Sequence, residues 1–339
     1  MKKFILDIIK FISIFLLLTI LFIITIEGYI SIFKNNIFSE KNLEKIYYSV
    51  IENYNWLDNI NSDHKILLIG SSSVKYGLSC SELNKLSNNK ISFINLSMNA
   101  RGPIEAYFLL KNINLEHVTN IYLGLDPWIY TKKYYRYRNS YMYLDFNFLQ
   151  SVLYFFEHDK STFIKRYKAL LTYIKPFTKQ DINRKIFIQI PDDFGSEVLD
   201  KEPKNFGKPG KRVDLFQIKE YGWSKLQFEY FKKIAIFCKS KNISFSVFLP
   251  PKRSDYSQSY KKNYRTNNDE YINNILNKNI IMPIFGKYDQ LDNLGDYDLF
   301  ADSVHLNKHG QEVYSEIFYN MINKKNEMFN KNYSWYQNK

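Results

Sequence analysis

The sequence predicts an α/β domain, three layers deep with a mainly parallel sheet, preceded by one transmembrane helix. Three observations carry that expectation. Short apolar runs rich in Ile, Phe or Val lie near residues 65–70, 91–96, 118–124, 243–249 and 279–285, with the length and composition of buried strands. Stretches of helical spacing fall between or after them, near 77–88, 103–113, 224–241 and 308–323, and strands alternating with helices make parallel sheets covered on both faces. The N-terminus carries an uncharged run of mainly Ile, Leu and Phe over residues 11–26.

In chain order, that run comes first. Glu27 interrupts it before a further apolar stretch. If the acid sits at the interface, residues 11–33 are long enough to cross a bilayer. Lys2, Lys3 and Lys10 precede the run, so residues 1–10 are expected in the cytoplasm and the following domain outside. No small-x-small cleavage site follows, which favours an uncleaved signal anchor. A linker over 34–63 then leads to one domain over 64–325, with a basic tail over 326–339.

The first strand ends at Gly70-Ser71-Ser72, where small residues let a side chain and backbone N–H groups face a ligand. The second leads to Ser97-Met98-Asn99-Ala100-Arg101-Gly102-Pro103, with Pro103 suited to the first position of the next helix. The third leads to Gly124-Leu125-Asp126-Pro127-Trp128. Three loops at strand C-termini are expected to meet at one sheet edge, where ligands of such sheets bind. Residues 131–215 break the alternation and are read as an insertion beside that edge, either a cap or packing against sheet or membrane. Within it, Thr131 to Arg138 mixes cations with aromatic rings, a pattern suited equally to a sugar and to a solvated loop. Ser224 with Gln227 makes a capping box for the next helix. Pro250-Pro251-Lys252-Arg253 follows another strand, either presenting a cation or simply ending the strand. Near the C-terminus stands Asp302-Ser303-Val304-His305.

Ser72, His305 and Asp302 supply a hydroxyl, an imidazole and a carboxylate, the groups that turn a weak nucleophile into an acylating one at neutral pH. The two segments resemble the blocks of the SGNH (GDSL-like) hydrolase superfamily: a Gly-Asp-Ser block after the first strand, with Ser71 here in place of the Asp, and an Asp-x-x-His block before the last helix. The resemblance spans residues 64–325 and implies a flavodoxin-like domain in which Ser72 is the nucleophile, His305 its base and Asp302 the residue that orients the imidazole. It also implies donors for the oxyanion: the Ser72 N–H and a Gly-type donor near Ala100 or Gly102. Where the superfamily has Gly-x-Asn-Asp, whose Asn donates to the oxyanion, this chain has Asp126, which has only acceptors when ionised. Asp126 is therefore protonated, or holds the loop, or leaves the donation to Asn95 or Asn99. With Asp126 as a donor or anchor, Asp126→Asn is expected to preserve turnover. As the ligand of a cationic group, it is expected to lose turnover on substitution.

The chain has 47 Lys and Arg against 34 Asp and Glu, for a formal charge of +13. The basic residues are scattered and no nucleic-acid-binding motif is present, so an anionic membrane surface or envelope polymer fits that field better. Cys80 and Cys238 are read as two separate buried thiols. No Cys/His cluster has metal-ligand spacing, and neither metal nor cofactor is called for. Relatives with this layout resemble membrane-anchored O-acetyltransferase and D-alanyl-transfer families. That likeness implies an acylated substrate or cell-envelope glycan, and a multi-spanning membrane acyltransferase as partner. The competing expectation is a noncatalytic envelope-polymer binding or assembly protein on the same fold, favoured by Asp126 standing where the Asn belongs.

Overall fold

The computed structural model describes residues 2–37, 52–99, 102–130, 193–199, 224–254, 284–286, 290–291, 294 and 296–336. The chain divides into two units. The described part of the first is helix α1, Lys2–Ile37. It starts at the very N-terminus, so residues expected as a cytoplasmic stub continue the helix; nothing from Lys2 onward breaks its backbone pattern. The stretch Lys3–Phe22 is long and apolar enough to cross a membrane. Phe11, Phe15 and Phe22 are each more than 60% exposed.

The second unit is an α/β domain. Five strands, β1 Lys65–Ile69, β2 Ser92–Asn95, β3 Val118–Gly124, β4 Ser244–Phe248 and β5 Ile284–Phe285, form one sheet in the order β2-β1-β3-β4-β5. Every neighbouring pair is parallel. Four strands match the predicted runs to within a residue or two; residues 279–283 of the fifth lie outside the described residues.

The apolar runs are continuous because side chains alternate between two covered faces. Leu67, Ile69, Ile94, Ile121, Leu123 and Val247 face one core, with α4 (Pro103–Asn112) and α5 (Lys225–Ser240) contributing Leu109, Leu110, Phe231 and Ile234. Ile66, Leu68, Phe93, Tyr122 and Phe248 face the other, with α3 (Cys80–Leu86) and α7 (Lys308–Tyr336) contributing Leu83, Tyr314 and Phe318. Phe318 meets Phe248 and Tyr122 edge-on, with ring centroids 4.9 and 5.6 Å apart, the geometry that aromatic quadrupoles favour. Cys238 belongs to the first core and Cys80 to the second, and both thiols are free and buried. Burial pushes the Cys238 thiol up to about 12 and raises that of Cys80 as well.

Three boundaries differ from the sequence expectation. A 3₁₀ turn, Glu52–Asn59, lies in the expected linker and buries Trp56, Leu57 and, just beyond it, Ile60 in the first core. The helix expected at 77–88 is α3, and a short helix that was not expected, α2 (Ser72–Lys75), precedes it across Tyr76-Gly77. A Cβ on Gly77 would stand 2.1 Å from the Ser73 carbonyl oxygen, so the chain can fold back on itself only at a glycine. The last helix runs past 323 to Tyr336, because residues 324–336 contain neither Gly nor Pro to stop it. The expected basic tail is helical to that point.

A tight fit secures the loop after β1. Val74 of α2 is fully buried, and Cβ atoms placed on Gly70 and Gly124 would stand 2.4 and 2.2 Å from its Cγ2. The ends of β1 and β3 are glycines because Val74 occupies the space between them. Gly124→Ala is expected to destabilise the protein by about 1–3 kcal/mol through overpacking, and Val74→Ala should relieve part of that loss in the double variant. Urea unfolding of the three variants tests the coupling: strictly additive losses would mean that Val74 is not the obstacle.

Candidate active site

Ser72 is the first residue of α2, set there by Ser71 as the N-cap: the Ser71 Oγ accepts the Ser73 N–H at 3.2 Å. Its own N–H lies in the first turn, where backbone N–H groups have no intrahelical acceptor. His305 arrives from the other end of the chain. Helix α6 (Asp296–Leu299) ends in a narrow loop closed by an antiparallel bridge between Phe300 and Leu306, and the Ala301 N–H donates to the His305 carbonyl at 2.9 Å. Asn307 then caps α7, its Oδ1 accepting the Gly310 N–H at 2.9 Å.

The loops bring together the three residues singled out in the sequence. His305 Nε2 lies 2.8 Å from Ser72 Oγ, and His305 Nδ1 lies 2.8 Å from Asp302 Oδ2. With Nδ1–H donating to the carboxylate, Nε2 is left as an acceptor for the serine hydroxyl. The other Asp302 oxygen accepts the backbone N–H groups of Val304 and His305 at 2.9 and 3.0 Å. Burial alone raises the Asp302 carboxyl, but the hydrogen bond and charge of His305 and these two N–H donors outweigh it and hold the group well below the usual carboxylate range. Tyr76 packs edge-on against the His305 ring, with centroids 5.4 Å apart. Ser72 and His305 are half-buried, which leaves both within reach of a ligand.

Asp126 lies beneath the Ser72 turn. Fully buried, it accepts a hydrogen bond from Ser71 Oγ on Oδ2 and pairs with Lys252 Nζ at 2.6 Å on Oδ1. Lys252, itself 2% exposed, also donates to Ser73 Oγ at 2.5 Å. Asp126 is thus the partner of a buried cation and an anchor of the loop that carries Ser72. Both its oxygens are engaged by these two partners. Arg253, next to Lys252, uses its backbone N–H to hold the Ser303 carbonyl at 3.2 Å. Pro250 to Arg253 therefore braces both halves of the site, a role that the sequence marked only by a Lys after two prolines beyond a strand end.

The expected oxyanion donors are distributed unevenly. The Gly102 N–H donates to the Glu105 carboxylate at 3.0 Å as the cap of α4, which removes it from the candidates. Gly102 has a packing reason instead, since a Cβ there would meet Ile129 at 2.9 Å. Ala100 lies outside the described residues. The buried Asn95 amide donates to the Val74 carbonyl at 3.0 Å and to Ser196 Oγ at 3.2 Å, and so supports the loop from below. Asn99 is exposed beside the site, its Nδ2 donating to the Tyr76 hydroxyl at 3.4 Å. Of the expected insertion, residues 193–199 pass the end of β2: the Asn95 N–H donates to the Phe194 carbonyl at 2.9 Å, and Glu197 pairs with Lys75 at 2.6 Å. Its other parts, Thr131 to Arg138 among them, lie outside the described residues. Ser224 Oγ accepts the Gln227 N–H at 3.3 Å, whereas the Gln227 side chain has no hydrogen-bond partner among the described residues, so only half of the predicted capping box forms there.

Compared with protein-family models and with curated proteins, the chain matches none.

Two consequences can be measured. Asp126→Asn leaves Lys252 as a buried cation without its counter-charge, and is expected to cost about 3–5 kcal/mol of stability; an unchanged urea midpoint would contradict the ion pair. The folded-state pKa of Asp302 lies below its unfolded value of about 4. Its stabilising contribution is therefore fully present above that pH and is lost as pH falls through the folded value. Urea midpoints measured from pH 6 downward should decline more steeply below about pH 4 in the wild type than in Asp302→Asn.

Proposed function

We propose that the chain is a membrane-anchored serine acyl-transfer enzyme, an O-acyltransferase or acyl esterase of SGNH type, whose acyl-enzyme forms on Ser72. The observation that carries this reading is the continuous relay of Ser72 Oγ, His305 and Asp302, with both links at 2.8 Å. His305 Nε2 takes the hydroxyl proton as Ser72 Oγ attacks the acyl carbonyl carbon. The tetrahedral oxyanion collapses, the bond to the leaving oxygen breaks, and His305 returns the proton to that oxygen. A second hydroxyl, from a sugar or from water, then attacks the acyl-enzyme with the same base. Asp302 stabilises the imidazolium formed between the two transfers. The Ser72 N–H at the start of α2 is the first oxyanion donor, with the loop containing Asn99 and Ala100 supplying the rest.

The strand order 2-1-3-4-5 supports a flavodoxin-like assignment, because its direction reverses between β1 and β3. The loops leaving those two strands hold Ser72 and Asp126 at the crevice where ligands of such sheets bind. Helix α1 serves as a single-pass anchor with Lys2, Lys3 and Lys10 at its cytoplasmic end, which puts Ser72 outside the cell membrane beside an anionic envelope glycan suited to a chain of formal charge +13. A multi-spanning membrane acyltransferase supplying the acyl group fits that arrangement. A noncatalytic polymer-binding role draws support from one observation: Asp126 is committed to Lys252 and Ser71 and takes the place of a neutral amide donor.

A membrane-impermeant fluorophosphonate applied to cells stripped of their outer layers distinguishes these readings. The full-length chain should be labelled, and Ser72→Ala should not be. His305→Ala should slow labelling by roughly 100- to 10,000-fold, with Asp302→Asn retaining residual reactivity because it disturbs orientation rather than the nucleophile. An unlabelled wild type would favour the binding role. Labelling only after lysis would reverse the proposed orientation.

A further inference from the structure

The residues on either side of Ser72 are held by one buried network. Ser71 Oγ donates to Asp126; Asp126 pairs with Lys252 at 2.6 Å; Lys252 donates to Ser73 Oγ at 2.5 Å; and the Ser73 N–H returns to Ser71 Oγ at 3.2 Å. The ring closes beneath the nucleophile without including it. Each member is at most 5% exposed, so water does not compete for these bonds and their geometry is rigid. The three participating loops leave β1, β3 and β4, adjacent strands of the sheet.

We propose that Lys252 is a positioning residue: its ammonium group fixes the Ser71-Ser72-Ser73 turn, and through the adjoining Arg253 its segment holds the same turn in register with the His305 loop. A lysine suits the task because one ammonium carries three donors on a flexible stem, here dividing them between a carboxylate and a hydroxyl. The stem reaches from the end of β4 to the end of β1 across β3, and no neutral side chain of that length offers a charge to balance Asp126. The Arg253 N–H on the Ser303 carbonyl lies one residue from Asp302 and two from His305. A shift at 252–253 therefore moves base and nucleophile relative to one another, and misplacement of about 1 Å at such a pair costs roughly a hundredfold in rate. The kinetic part of this inference rests on the acyl-transfer reading. The conformational part does not.

The test uses the full-length chain in detergent, with two variants. Lys252→Met removes the donor and strands Asp126. Asp126→Asn combined with Lys252→Met removes both charges, so that no unpaired charge is left buried to destabilise the fold. Amide hydrogen exchange is followed in the peptide containing residues 70–76, whose Ser73, Val74, Lys75 and Tyr76 N–H groups are bonded within the turn, alongside the rate of fluorophosphonate labelling. In the double variant, exchange in that peptide should rise by about tenfold or more. Strands β1 and β3 should keep wild-type exchange, and labelling should slow by about tenfold to a hundredfold. Wild-type exchange in the turn overturns the proposal whatever the labelling does. Faster exchange with labelling at the wild-type rate overturns it too, since the turn would then be loosened without consequence for Ser72. Faster exchange in a protein whose wild type is never labelled supports the clamp and counts against the acyl-transfer reading alone.

Discussion

The buried pair of Asp126 and Lys252 is the contact on which the arrangement of the site depends. Two charges are withdrawn from water at considerable cost, and that cost is offset only because each also satisfies a serine hydroxyl: Asp126 accepts from Ser71, and Lys252 donates to Ser73. An apolar pair of equal volume would pack as well and could be more stable. It would leave the two hydroxyls flanking Ser72 without these partners. The pair therefore makes sense as a constraint on loop geometry, which is where its four hydrogen-bonding groups converge.

Around that contact the backbone has little freedom. Val74 fills the gap between the glycine ends of β1 and β3, and Gly77 lets the chain turn back directly after α2. Asn95 ties the Val74 carbonyl to edge strand β2, while Glu197 and Lys75 join residues 193–199 to the end of the same short helix. A four-residue helix has no stability of its own. It persists here because its Val74 side chain, its last carbonyls and the serines of its first turn are each held by a different part of the domain.

Much of this was legible in the sequence. The strands could be placed because both sheet faces are covered, so that each strand is an uninterrupted apolar run. The Ser72 and Asp302 to His305 segments could be found because each is a short local pattern at the end of an element. What escaped were contacts with no local signature. Lys252 lies 126 residues from Asp126 and 179 from Ser73, and a lysine after two prolines reads equally well as a surface charge. Asp126 was open between donor, anchor and cation ligand because a carboxylate's role depends on what stands within 3 Å of it. Gly102 was legible as a loop glycine, but its N–H is committed to Glu105 only once the helix cap forms.

Composition and periodicity over short spans were enough to define the class of fold, the long apolar N-terminal helix and the three residue types of the relay. The partners came from the packing of the whole domain: that His305 meets Ser72 across 233 positions at 2.8 Å, and that Asp126 pairs with Lys252. Such pairings depend on which strand ends become neighbours in the sheet. That order is settled by burying all the apolar faces together, a property of the whole chain and of no segment within it.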